Sequence, residues 1–199
     1  MNTQLRASGG WWITLATGLA TFTALLGLFL QEGFDADALH AGVRWTARGA
    51  LVSFWIVFVS SSARSLWSSA TTRWLVANRR YLGVSFGIFM GFHLLMLIAL
   101  GVLFPGPFFS QLDALTITGG GLAYAFTAAM VLTSSDRSVR RLGRARWFRL
   151  HRMGLWFNWA VFTFTYFGDI RAHPQQGWAL TSLWIGAGLR WVTARTRSG

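Results

Sequence analysis

The stretch YLGVSFGIFMGFHLLMLIALGVL, residues 81–103, contains no aspartate, glutamate, lysine or arginine. A helix rises about 1.5 Å per residue, so this run covers about 35 Å, enough to cross the roughly 30 Å hydrocarbon core of a bilayer. Lipid offers no hydrogen bonds to backbone groups, so a run of this kind must be a helix. It predicts a membrane span with one imidazole, His93, in its interior.

The rest of the chain repeats the pattern. Of its 199 residues, 53% are hydrophobic and only 12% are charged, about half the charge of a soluble domain. Further apolar runs occupy residues 11–30, about 47–63, 115–134 and 147–167, and a shorter one 178–192. Together with 81–103 they predict an all-α integral membrane protein, a six-transmembrane-helix bundle forming one domain over 1–199. The first run is too long and too aromatic for a signal-peptide core, and no small-residue cleavage site follows it. Arg190 lies near the end of the last run and must snorkel toward the interface. Pro105 and Pro107 stop the third helix.

Composition excludes several chemistries. There is no cysteine, which removes disulfides, thiolate metal sites, cysteine nucleophiles and covalent c-type haem. Every basic residue is an arginine, so Schiff-base lysine chemistry and the P-loop lysine are absent. Six acidic residues are too few for a carboxylate-rich metal cage. The net charge of +12 does not point to nucleic acid, because the arginines occupy short loops between apolar runs.

Those arginines set the topology instead. With both termini in the cytoplasm, Arg6, Arg64, Arg73, Arg79, Arg80, Arg137, Arg140, Arg141, Arg144, Arg146, Arg149, Arg152, Arg190, Arg195 and Arg197 all lie inside. Only Arg44, Arg48 and Arg171 lie outside, together with Glu32, Asp35, Asp37, Asp113 and Asp169. The expected location is the cytoplasmic (inner) membrane. Trp11, Trp12, Trp45, Trp67, Trp74, Trp147 and Trp178 fall near the expected interfaces, as an aromatic belt does. The basic segment from Arg137 to Arg152 reads first as topology and contact with anionic headgroups. Docking of an acidic cytoplasmic reductase is its second reading.

Four histidines are the candidates for chemistry. His40 and His173 fall in outer loops and read as solvated. His93 lies 12 residues past Tyr81, about 18 Å into the bilayer. An ionisable group at that depth marks a ligand or proton relay by default, although a neutral ring hydrogen-bonded to Thr163 or Ser85 would also be tolerated. His151 lies one turn past Trp147, near the inner surface. Two neutral imidazoles from facing helices are a usual way for a helical bundle to hold b-type haem. Gly83, Gly87 and Gly91 form a ridge suited to close helix packing. Gly119, Gly120 and Gly121 leave room for a bulky neighbour or a planar cofactor, or simply loosen their helix.

The strings Leu132-Thr133-Ser134-Ser135, Arg140-Arg141-Leu142-Gly143, Trp147 and Leu150-His151-Arg152 resemble the ferric-reductase-like transmembrane superfamily. The resemblance is strongest to the haem-binding membrane subunits of periplasmic methionine sulfoxide reductase systems. Arg79-Arg80-Tyr81-Leu82-Gly83 followed by His93, and Gly42-Val43-Arg44-Trp45 through Arg48, resemble that family's third- and second-helix starts. The resemblance implies haem b ligated at its iron by His93 and His151. It also implies electron relay across the membrane, from a quinol or a separate flavoprotein to a periplasmic acceptor protein. The chain carries no glycine-rich dinucleotide fingerprint, so any oxidoreductase role is that of a subunit without its own flavin or nicotinamide domain.

One departure bears on the haem. The family's second helix-five histidine, 13 residues after the first, is Phe164 here. By helix rise His151 lies about 6 Å past Trp147, far shallower than His93. Three arrangements follow: an outer haem held by His93 alone, one tilted haem shared by His93 and His151, or no haem. The sequence thus supports a haem-b electron-relay subunit and, as the alternative, a haem-free six-helix scaffold or assembly partner. A small transporter using His93 as proton relay is weaker, because no carboxylate lies within the spans.

Overall fold

In the computed structural model, residues 10–110, 112–171 and 173–196 are described; Arg6 and Arg197 lie outside them. Helix α1 (Trp11–Glu32) is followed by α2 (Ala36–Leu66), α3 (Ala70–Ala77), α4 (Arg79–Leu103) and α5 (Pro105–Ser110). Then come α6 (Ala114–Leu132), α7 (Asp136–Leu142), α8 (Arg144–Asp169), a 3₁₀ turn (Pro174–Gln176) and α9 (Gly177–Arg195). Among the described residues there is no strand. Among the described residues four helices, α1, α2, α4 and α6, are long and apolar enough to cross a membrane. The chain is an all-α membrane protein.

Caps explain the boundaries. α2 begins well before residue 47, because the Asp35 carboxylate accepts from the Ala38 amide at 2.9 Å and starts the helix there. This places His40 inside a helix rather than in a loop; its Nδ1 donates to the Ala36 carbonyl at 2.7 Å. Asp113 caps α6 by accepting from the Thr116 amide. α4 ends at Leu103, and Pro105 opens α5, where its missing N–H costs nothing. The short helices α3 and α7 follow loops capped by Ser69 and Ser135. α8 and α9 cover the fifth and sixth runs and are not among those four.

The bundle is built around α2, which packs along α4 and is flanked by α1 and α9. α6 packs along α8, and the α4–α6 and α8–α9 contacts close the assembly. The core is aromatic: Phe54 meets Phe58, Phe86 and Phe162 at centroid distances of 5.4, 5.6 and 5.3 Å. Polarity is arranged for lipid. On α1 the residues Leu15, Leu19, Phe22, Leu26 and Leu30 face outward, whereas Thr14 and Thr21 are buried. Interior hydroxyls pair between helices, Thr17 with Ser85 at 3.1 Å and Ser62 with Thr193 at 3.0 Å. Such bonds hold membrane helices together at about 0.6 kcal/mol each.

The glycine ridge of α4 is split. A Cβ at Gly87 would lie 2.4 Å from Val131 Cγ2, so here α4 and α6 touch. At Gly83 and Gly91 nothing lies within 4 Å. Gly119, Gly120 and Gly121 likewise have no neighbour within 4 Å.

Candidate functional site

At the arginine-rich end of the bundle, α2, α4, α6, α8 and α9 diverge around a cavity of about 590 Å³, within the usual range for cofactor and ligand sites. Phe54, Phe86, Met130, Leu155 and Trp156 form its apolar walls. The bare Gly83 keeps the α4 side open, and Ser61, Ser62, Ser134 and Thr193 add hydroxyls. Four arginines line it: Arg79, Arg80, Arg152 and Arg190.

His151 is on the wall of this cavity. Its Nε2 lies 3.1 Å from Thr133 Oγ1. The Thr133 hydroxyl gives its proton to the Ala129 carbonyl at 2.6 Å, so Nε2 donates to Thr133 and Nδ1 keeps a free lone pair. Metal ligation through Nδ1 leaves this bond intact; ligation through Nε2 requires the ring to leave Thr133. Trp147 holds the ring from the side, 4.2 Å between centroids, and its Nε1 donates to the Thr133 carbonyl at 2.9 Å. Trp147 is therefore part of this site, whereas Trp11, Trp12, Trp45, Trp67, Trp74 and Trp178 are exposed.

The arginines differ in their partners. Arg80 pairs with Asp136. Arg79 donates to Ser61 Oγ at 2.9 Å. Arg190 does not snorkel: it turns inward, donates to the Phe58 carbonyl at 2.8 Å, and stacks its guanidinium over Phe58 at 4.7 Å and Trp156 at 5.7 Å. A backbone carbonyl and two ring faces replace the headgroup water that snorkelling would supply. Among the described residues, no carboxylate lies within ion-pair distance of Arg79, Arg152 or Arg190.

His93 occupies a different level. Its Nδ1 lies 3.1 Å from the Val43 carbonyl and 3.2 Å from Thr46 Oγ1. A carbonyl only accepts, so Nδ1 carries the proton and Nε2 is bare. A ring whose Nδ1–H is held by a backbone carbonyl commonly presents Nε2 to a metal. The ring stacks on Tyr124 at 6.3 Å. Thr163 and Ser85 are not its partners: Ser85 meets Thr17, and the buried hydroxyls of Thr163 and Tyr124 have no hydrogen-bond partner among the described residues.

The structure does not bring His93 and His151 together. On α6, His93 is level with Tyr124 and His151 with Thr133. Nine residues of helix separate these contacts, about 13–14 Å. An imidazole nitrogen lies about 2 Å from the metal it binds, so two ligands of one iron lie far closer than that. Phe164 supplies no substitute, because it points outward and is 59% exposed. Phe162 points inward but is packed between Phe54 and Phe86. His173 lies before the 3₁₀ turn and does not line the cavity. Among the described residues no cluster of three or more histidine or acidic side chains could hold a metal ion.

Sequence reasoning did not single out Tyr124, Asn158 or the inward Arg190. Asn158 is 1% exposed, accepts from Thr127 at 3.3 Å and donates to the Gly154 carbonyl at 2.9 Å. The available signal was an amide within an otherwise apolar run.

Sequence comparison adds a curated relative to this geometry. The chain is similar to the haem-binding subunit MsrQ of the protein-methionine-sulfoxide reductase of Deinococcus radiodurans. The two are 30% identical over 143 residues, 68% of this chain. The chain spans 66% of that relative's length. No family model matches the chain, and no solved structure does.

The cavity residues fit a haem on one face. The volume is sufficient, the walls are apolar, one imidazole lines it, and guanidiniums without carboxylates stand at its polar rim to meet propionates. A second imidazole is absent from the cavity.

Proposed function

We propose that the chain is a haem-b-binding subunit that relays electrons across the cytoplasmic membrane, with six spans and both termini inside. The observation that carries this reading is His151 on the wall of an apolar cavity that also holds Arg79, Arg152 and Arg190, which have no acidic partner among the described residues. The similarity to a haem-binding subunit supports it. A bound haem b would supply a one-electron carrier. His151 would hold it, with Trp147 and Thr133 fixing the imidazole plane. Phe54, Phe86 and Trp156 would exclude water. His93, with Nε2 bare and Nδ1 anchored on α2, is the ligand candidate for a separate, deeper level. Electrons would come from a quinol or a separate flavoprotein and pass to a periplasmic acceptor protein.

The test is the spectrum of the chain purified in mild detergent, oxidised and dithionite-reduced, with a pyridine haemochrome assay. A b-type spectrum that His151→Ala abolishes is expected. Full haem content in both His93→Ala and His151→Ala would sink the ligand assignment.

A haem-free scaffold or assembly partner is the second reading. The separation of the two histidines and the outward Phe164 favour it. Absence of haem after expression with excess haem precursor would establish it over the first.

A further inference from the structure

We propose that Arg79 and Arg190, assisted by Arg152, form a binding centre for an anionic group, a carboxylate or a phosphate, at the rim of the cavity. The proposal deepens the haem reading where the anion is a cofactor carboxylate; where it is a lipid phosphate it stands without that reading.

Three observations carry it. First, Arg79 comes from the start of α4 and Arg190 from α9, yet both are half-buried and line one cavity. Two like charges brought together in a partly buried site repel, and an anion between them removes that cost. Second, no anion of the described protein is present there. Arg80, the one cavity arginine with an acidic partner, pairs with Asp136. Third, the guanidiniums are held but not used up. A guanidinium has five N–H donors. Arg79 spends one on Ser61, and Arg190 spends one on Phe58 while Phe58 and Trp156 fix its plane. Fixed planar forks with spare donors suit bidentate recognition of carboxylate or phosphate.

The exposed arginines of α7 and the α8 start make a natural contrast. Arg137 and Arg141 are open to solvent, outside the cavity, and act as ordinary surface charge.

The experiment uses the purified full chain in uncharged detergent, wild type beside R79Q/R190Q and the surface control R137Q/R141Q. One arm titrates iron-free protoporphyrin IX and its dimethyl ester, read by tryptophan quenching. The other adds phosphatidylglycerol or phosphatidylcholine and reads the melting temperature. If the anion is a cofactor carboxylate, wild type and the surface control bind the diacid at least tenfold tighter than the ester. R79Q/R190Q then loses the preference. If the anion is a headgroup phosphate, phosphatidylglycerol raises the melting temperature above phosphatidylcholine in wild type and control, and not in R79Q/R190Q.

A wild type that shows neither preference overturns the centre, and so does an R79Q/R190Q that keeps the preference undiminished. Because the porphyrin lacks iron, His151→Ala should lose haem and keep the diacid preference, so the two readings fail separately. If R79Q/R190Q is not monodisperse, R79K/R190K decides. Retained but weakened preference supports the centre, and a preference equal to that of wild type overturns the bidentate fork.

Discussion

Gly87 is the point where a single methyl group should move a helix. An alanine Cβ there would stand 2.4 Å from Val131 Cγ2, whereas carbon atoms in contact sit about 3.5–4.0 Å apart. The α4–α6 interface must therefore open by about 1 Å, and Val131, β-branched on a helix, has no ready alternative rotamer. Overpacking of this kind costs about 1–3 kcal/mol. Replacing a helical glycine by alanine returns up to about 1 kcal/mol, so Gly87→Ala should destabilise by about 1–2 kcal/mol. Val131→Ala alone removes half-buried methyl groups and should cost about 1 kcal/mol. In the double variant the clash is gone, so its loss should fall short of the summed single losses by the clash itself, about 1–3 kcal/mol. Denaturant titration of the four proteins in mild detergent measures this cycle. Additivity within about 0.5 kcal/mol would refute the contact as the cause. The same strain should weaken the stacking of Tyr124 on His93, which the same two helices hold.

Other outcomes follow from single groups. Tyr124→Phe removes a buried hydroxyl without a partner and should be neutral or stabilise by up to about 1 kcal/mol in a thermal melt; a clear loss would mean that the hydroxyl is bonded in the membrane. Thr46→Val removes one of the two contacts to His93 Nδ1 and leaves the Val43 carbonyl, so any haem lost by His93→Ala should be largely retained by Thr46→Val when pigment content is compared. Asp136→Asn breaks an exposed ion pair with Arg80 and should change stability by less than about 1 kcal/mol in the same melts. The Thr116 amide holds the Asp113 carboxyl below the usual carboxylate range. Its cap is therefore present above the unfolded-state value and fades as pH falls through the folded one. A melting-temperature profile should show Asp113→Asn flattening that acid limb.

The apolar runs of α1, α4 and α6 could be read directly, because lipid demands continuous apolar helix and nothing else produces such stretches. The start of α2 could not, because Arg44 and Arg48 interrupt its apolarity while a capping carboxylate at Asp35 begins the helix regardless. α3 and α7 escaped for a related reason: they are too short for periodicity and rest on serine caps. His93 stood out as an imidazole in a lipid-compatible run. Its anchors, Val43 and Thr46, depend on the α2–α4 register, which no local pattern encodes. The inward turn of Arg190 is not legible, because a helix sequence does not say which neighbour offers a carbonyl and two aromatic faces. The cavity itself arises from five helices remote in sequence.

The connection between α1 and α2 has a consequence for the order of assembly. It is only residues 33–35 long, with Gly33 at φ 85°, so the two helices enter the bilayer as one hairpin. Yet α1 leans mainly on α4, through Trp11 against Tyr81 and Thr17 against Ser85. Its docking face does not exist until a helix made some fifty residues later has been inserted. α1 thus leaves the ribosome well before the helix that seats it, and until then Thr14, Thr17 and Thr21 must satisfy their hydroxyls on their own backbone. They do so in the finished fold, through the carbonyls of Trp11, Ile13 and Thr17, so the waiting helix carries no unsatisfied hydroxyl into the lipid.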